Sequence, residues 1–327
     1  ELEKIDKDHV FSFHAGVYII EVQRDANGRV VRRKDVDIES DYNNAVTAVS
    51  TLEGNDSSGV LFFDNRLYEE HKWESIVTEQ EKKALDNKEF LVYYQPKYDP
   101  KTDRLKGAEA LIRWNSPEFG LVSPGRFIPI FEKNGFIKEI DHYMLRSVAA
   151  DQKRWFDEGR KCVPISVNVS RAHFIESDLA EQIRDTVDRE GTSRSLIEIE
   201  LTESAFFDDK DALISIIEKL KEYGFSVSMD DFGSGYSSLN SLKDMPLDVL
   251  KLDAEFFRGG DKERGEKVVS ETIKLAKSLK MKTVAEGVEI KDQVEFLAEQ
   301  GCDMIQGYYY AKPMPKNEFE ERMEIVE

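Results

Sequence analysis

The residues of this sequence best placed to do chemistry are carboxylates set at the ends of apolar runs. Phe225, Val227 and Met229 alternate as a strand does and lead into the adjacent pair Asp230 and Asp231, followed by Gly233, Ser234 and Gly235. Glu109 and Arg113 share one face of "LKGAEALIRW" by their even spacing. Asn168 stands between Val167 and Val169, and Glu200 lies within "LIEIELTES". Lys251 and Asp253 share a face of "DVLKLD", Glu286 precedes Gly287, and Gln306 precedes Gly307. Each has an ordinary explanation on its own. Aspartate suits turns and helix caps, a lysine snorkels, and an amide can be a satisfied core residue. Scattered surface charge does not, however, put polar groups into one strand-like run after another amid apolar neighbours.

Brought to one rim, Glu109, Glu200, Asp230, Asp231 and Glu286 would carry five negative charges. At an effective dielectric of about 20, two such charges roughly 4 Å apart repel by about 4 kcal/mol. Without cations some of them would hold protons. Two divalent ions together with the Lys251 ammonium cancel the five. The donors are oxygens, with no histidine or cysteine among them, which favours Mg²⁺ or Mn²⁺ over Zn²⁺. A pair of such ions about 3.5–4 Å apart suits in-line displacement at a phosphodiester. The aspartate pair acquires a reason on this reading. Where the pleat breaks down at a strand end the two side chains can converge, one bridging both ions and its neighbour binding the second.

These residues need a scaffold that brings strand ends together. Strand-like runs fall at 90–99, 105–114, 163–170, 196–204, 225–231, 248–253, 282–288 and 303–310, with helical runs between most of them. In "DALISIIEKLKEYG", Leu213, Ile216, Ile217 and Leu220 have helical spacing, and Gly224 stops the helix. In "EKVVSETIKLAKSLK", Val269, Ile273, Ala276 and Leu279 do the same. The count and size predict an α/β fold, a (β/α)8 TIM-like barrel whose chemistry sits on one rim. "PKTDR" is too short for a crossover helix, so the first two strands should form a hairpin and one barrel strand should run antiparallel. A doubly wound open sheet is the alternative.

The chain has 327 residues, 40% hydrophobic and 34% charged, and a formal net charge of −19. That charge argues against binding a nucleic-acid polymer and means that an anionic substrate needs a local positive counterweight. No apolar run approaches the roughly 18 residues of a membrane span, so no membrane contact is expected of this segment. Cys162 and Cys302 lie far apart, which points to reduced, structural thiols and a cytoplasmic setting. His9, His14, His71, His142 and His173 show no metal-ligand spacing. The sequence begins at Glu1 and enters a strand-like run at once, which reads as a piece of a longer protein, with any upstream membrane tether unseen. Residues 1–72 form a small, partial α+β segment, with a helix over "SDYNNAVTAVSTL" capped by Ser40 or Asp41; residues 73–327 form the barrel.

The ordered series "GAEALIRW", "SPGRFIPIFEKNGFI", "SVNVS", "IELTES", "MDDFGSGYSSL", "LKLD", "VAEGVE" and "CDMIQGYYYAKPM" resembles the EAL family of bacterial cyclic di-GMP phosphodiesterases over about residues 76–327. The resemblance implies metal-dependent hydrolysis of cyclic di-GMP to linear 5′-pGpG, the alternative being a receptor that binds without turnover. It implies that Glu109, Asn168, Glu200 and Asp230 hold a first ion and that Asp230, Asp231 and Glu286 hold a second. Lys251 would contact the attacking water, and Glu286 has also been considered as a base. Gln95, Arg113, Asp253 and Gln306 would contact the nucleotide. Glu203 would brace the loop after the fifth strand, where a homodimer contact is also implied. Ser234 stands where the family usually has Thr, which keeps the hydroxyl. "FSFHAGVYII", "DIESDYNNAVTAVSTL" and "SSGVLFFDNRLYEE" are similar, more loosely, to the C-terminal part of a GGDEF domain without its GGDEF motif.

Overall fold

The computed structural model describes residues 13–19, 23–24, 30–31, 37–50, 59–174, 176–202, 210–232, 239–257 and 262–325. The chain divides into two compact units, Glu1–Gln80 and Glu81–Glu327.

In the first unit the strands are β1 (His14–Val17), β2 (Gln23–Arg24) and β3 (Val30–Val31). Helix α1 (Ile38–Ser50) and strand β4 (Gly59–Phe62) follow. β1 and β4 pair in parallel through the α1 crossover, while β2 and β3 pair antiparallel. The cap of α1 is Asp37, whose Oδ1 accepts from the Ser40 amide at 3.1 Å, rather than Ser40 or Asp41. An aspartate just before the helix satisfies one of the first-turn amides that have no intrahelical partner. Helix α2 (Asn65–Asp86) runs unbroken through residue 73, where the sequence reading began a new segment.

The second unit opens with β5 (Phe90–Tyr98), β6 (Leu105–Ser116) and β7 (Gly120–Val122). The β5–β6 link is a tight turn in which Asp99 Oδ1 accepts from the amides of Lys101 and Thr102. Helices α3 (Ile128–Asn134) and α4 (Ile137–Asp157) come next. The chain then alternates: β8 (Ile165–Val169), α5 (Leu179–Glu190), β9 (Ile197–Thr202), α6 (Lys210–Glu222), β10 (Ser226–Phe232) and α7 (Leu239–Asp244). It continues through β11 (Val249–Leu252), α8 (Lys262–Ser278), β12 (Lys282–Ala285), α9 (Lys291–Gln300) and β13 (Met304–Ile305), and ends with β14 (Met314–Pro315) and α10 (Lys316–Glu320).

Eight of these strands close a ring in the order β5, β13, β12, β11, β10, β9, β8, β6, with β6 pairing back to β5. β5 is antiparallel to both its neighbours, and the other ring pairings are parallel. This is a TIM-like barrel with the one reversed strand that the short link requires. β7 and β14 extend the sheet antiparallel from β6 and β5. The helices bury most of the stripes read from the sequence, although Leu279 lies one residue past α8 and is only half-buried. Leu213, Ile216, Ile217 and Leu220 of α6 are buried, as are Val269, Ile273 and Ala276 of α8. Each such leucine, isoleucine or valine contributes roughly 1.5–3 kcal/mol when removed from water. No helix among the described residues is long and apolar enough to cross a membrane.

Candidate active site

The barrel interior departs from the apolar filling expected of this architecture. Lys251, on β11 between Leu250 and Leu252, points inward and is fully buried. Its Nζ lies 2.8 Å from Asp230 Oδ1, 2.8 Å from Glu286 Oε1 and 3.5 Å from Glu109 Oε2, and in closer contact still with Glu200 Oε1. One ammonium thus gathers four carboxylates from β10, β6, β9 and the segment after β12. Burial works against its charge, but Asp230, Glu109, Glu200 and Glu286 together outweigh this and hold the ammonium well above the usual lysine range. The carboxylates feel the reverse. Burial and the neighbouring Glu109 charge push Glu200 well above the usual carboxylate range against the pull of Lys251. Burial, the largest cause, raises Glu286 to about 7.

Local structure explains how each side chain arrives. The pairing of β8 with β9 sets Asn168 opposite Glu200, and that of β5 with β6 sets Gln95 opposite Glu109. Asn168 Nδ2 donates to Glu109 Oε1 at 3.1 Å. On β10 the pairing with β11 slips between Met229 and Phe232, so the strand carries an extra residue where Asp230 and Asp231 stand. Bulges beside active sites re-aim side chains, and this one breaks the pleat where the sequence reading needed it broken. Glu286 and Gln306 were read as strand residues, yet β12 ends at Ala285 and β13 at Ile305. Both residues sit one step beyond the ladder. There, Gln306 Nε2 donates to Glu109 Oε2 at 2.6 Å and to Gln95 Oε1 at 3.0 Å. Gly307 permits this approach: a Cβ on it would lie 2.1 Å from the Val288 carbonyl oxygen. Gln95 is held in turn, donating to the Ala311 carbonyl at 3.2 Å.

A cleft of about 300 Å³ opens above the cluster, lined by Gln95, Glu109, Asp230, Glu286, Gln306 and Tyr308 among others. Arg113 and Asp253 are not part of the buried cluster. The Arg113 guanidinium donates to the Ile112 carbonyl at 2.8 Å and lies 5.4 Å from the centre of the Tyr93 ring. Asp253 follows β11, and its Oδ1 accepts from the Glu255 amide at 2.6 Å, starting a 3-10 turn. Glu203, Gly233, Ser234, Gly235 and the side chain of Asp231 lie outside the described residues.

The sequence reading missed a second layer beneath the cluster. Lys97 is buried, its Nζ donating to Ser166 Oγ at 2.9 Å and to Glu198 Oε1 at 3.4 Å, and lying 3.8 Å from Glu200 Oε2. The signal was present. Lys97 follows Gln95 by two in β5, and Glu198 precedes Glu200 by two in β9, so each shares a barrel-facing register with a site residue.

The donor set fits a hard divalent cation. Glu109, Glu200 and Asp230 each offer a carboxylate oxygen, and the three oxygens lie within 4.8 Å of one another. Ligands on opposite sides of an ion with metal–oxygen distances of about 2.0–2.1 Å would be only slightly closer than that. Glu200 Oε2 and Gln306 Oε1 are buried with no hydrogen-bond partner among the described residues.

Residues 79–313 match the family model described as EAL domain. The chain is 34% identical over 273 residues to the bifunctional diguanylate cyclase/cyclic di-GMP phosphodiesterase MucR of Pseudomonas aeruginosa, a match taking in 83% of this chain and 40% of that protein. It is 33% identical over 279 residues to the cyclic di-GMP phosphodiesterase NbdA of the same organism, 85% of this chain and 36% of that one. The chain therefore spans well under half the length of these relatives. Among solved structures, the PaMucR phosphodiesterase in its c-di-GMP complex superposes with a TM-score of 0.70 at 36% identity, covering 74% of this chain and 99% of that one. The barrel with its reversed strand, its inward carboxylates and this match over most of its length place the chain in the EAL domain family.

Proposed function

We propose that this protein hydrolyses one phosphodiester bond of cyclic di-GMP to give linear 5′-pGpG, using Mg²⁺ or Mn²⁺. The observation that carries the reading is the cluster around Lys251, in a family whose relatives include cyclic di-GMP phosphodiesterases. Fully ionised, the four carboxylates together with one ammonium would leave three formal negative charges, and a dianionic substrate would not enter such a site without cations. Glu109, Asn168, Glu200 and Asp230 would hold one ion, and Asp230, Asp231 and Glu286 a second. Bound there, the ions would supply Lewis acidity toward the phosphoryl oxygens and would activate water. The protein's own groups do the rest. The Lys251 ammonium keeps its proton and orients water by donating to it. Glu286, beside the second ion and lining the cleft, is a carboxylate placed to accept a proton. Gln95 and Gln306 face the cleft as amides able to read polar edges of the nucleotide. Arg113 and Asp253, outside the buried cluster, would contact the nucleotide from its surroundings.

The decisive experiment incubates purified chain with cyclic di-GMP and Mg²⁺ and follows products by chromatography. Appearance of 5′-pGpG supports the proposal. Binding without product would indicate a receptor, and turnover of other phosphodiesters alone would indicate a different barrel enzyme. The reading extends to residues 1–72 as the C-terminal part of a GGDEF-like domain preceding an EAL barrel over 73–327. It also includes a homodimer contact near the loop after β10, which sedimentation over a range of concentrations would test.

A further inference from the structure

We propose that Lys97 is a positioning residue of this site, fixing Glu200 from beneath without touching substrate. The inference rests on the reading of the carboxylate cluster as a divalent-cation centre. Lys97 belongs to β5, yet its side chain crosses the barrel interior to Ser166 on β8 and to Glu198 and Glu200 on β9. Glu200 has no exposed surface, and its Oε1 is taken by Lys251. Its Oε2 accepts no hydrogen bond among the described residues and lies 3.8 Å from the Lys97 ammonium. The carboxylate is thus held between two ammonium groups, one on each oxygen, which fixes its rotation. Ser166 and Glu198 steady Lys97 at 2.9 and 3.4 Å.

Stability is a poor reason for such a layer. Apolar side chains of similar volume commonly replace a buried ion pair without loss, and barrel interiors are ordinarily filled that way. What the layer does supply is orientation of a ligand carboxylate. Partners that orient metal ligands typically change metal affinity 10–100-fold when altered.

Charge and position predict opposite signs, which makes the test sharp. Removing a positive charge beside a cation site should tighten cation binding; losing the restraint on Glu200 should weaken it. The experiment titrates Mn²⁺ calorimetrically into the full chain and into Lys97→Met, Lys97→Gln and Lys97→Met/Glu198→Gln, with thermal unfolding recorded alongside. The double variant leaves the formal charge of the layer unchanged and removes the unpaired Glu198, so it is expected to fold like the wild type. It should nevertheless bind Mn²⁺ about 10–100-fold more weakly. Lys97→Gln, which keeps a donor toward Ser166, should also weaken binding and serves if the Met variants fold poorly. Wild-type affinity in the double variant, or tighter binding in Lys97→Gln, overturns the positioning role. No Mn²⁺ binding by the wild-type chain overturns the cation-centre reading itself, and this inference with it.

Discussion

Replacing Lys251 with methionine, which keeps most of the length of the side chain and removes its charge, should destabilise the metal-free protein far more than an ordinary core substitution. The wild-type ammonium lies 2.8 Å from two carboxylate oxygens and 3.5 Å from a third, with Glu200 closer still. At an effective dielectric of about 20, one contact near 2.8 Å is worth on the order of 6 kcal/mol before the cost of burying the ammonium. Desolvation cancels most of this. Breaking a buried pair by removing one partner typically costs about 3–5 kcal/mol, because the other charge is left uncompensated. In a barrel of this size each kcal/mol moves the unfolding midpoint by about 2–4 °C, so a fall of roughly 6–20 °C is expected. The assay is thermal unfolding in chelator at pH 8. Two controls fix the cause. Burial raises Glu286 to about 7, so its contribution is present below its unfolded value and lost as pH rises through about 7. Acidifying to pH 5 should therefore shrink the deficit of the variant. Saturating Mg²⁺ should raise its midpoint by more than that of the wild type, because the ion meets one more unbalanced negative charge. With Mg²⁺ present, turnover should still fall at least about a hundredfold, roughly 2.7 kcal/mol. A variant melting within about 1 °C of the wild type in chelator at pH 8 would refute the reasoning.

The adjacent aspartates should not be equivalent. Asp230→Asn is expected to weaken metal binding at both sites and Asp231→Asn at one, with both losing at least about a hundredfold in rate, as calorimetry beside a turnover assay would show. Mg²⁺ and Mn²⁺ should support activity and Ca²⁺ support it weakly, since Ca²⁺ favours more ligands at longer distances; full turnover after exhaustive chelation would contradict this. Away from the site, buried His173 lies between Asp141 Oδ2 at 3.3 Å and Glu176 Oε2 at 3.4 Å. Burial opposes its charge, but these two carboxylates raise it above the usual histidine value, so its contribution is full below about 6.5 and lost as pH rises through the raised value. Unfolding midpoints measured from pH 6 to 9 should accordingly fall more steeply in the wild type than in His173→Gln, and parallel curves would contradict this assignment.

Much of this was legible in the residues because barrel strands announce themselves by alternation. The short "PKTDR" link foretold one reversed strand, which the structure identifies as β5, and the eight runs matched the eight ring strands. What escaped was of two kinds. Elements as short as the four-residue β12 and the two-residue β13 leave little period to read, so the strand ends at Ala285 and Ile305 were overrun. The Lys97–Glu198 pair was missed because a lysine or glutamate in a strand reads as a solvent-facing residue unless its two-residue register with a site residue is followed. The cap at Asp37 shows the same limit on a smaller scale, since Asp37, Ser40 and Asp41 compete as caps within about one turn and backbone geometry decides between them.

The reversed strand also orders how the centre assembles. The β5–β6 hairpin joins segments a few residues apart and can pair as soon as both are made, setting Gln95 beside Glu109. Closing the ring needs β13, with Ile305 meeting Tyr98 across two-thirds of the chain. Loop-closure entropy makes that contact among the slowest to form. The hydrogen bonds from Gln306 to Gln95 and Glu109 belong to this closing step. The carboxylate cluster therefore gains its full frame only when the barrel shuts, and a chain still being synthesised short of residue 306 carries most of the acidic groups but lacks the amide that completes them.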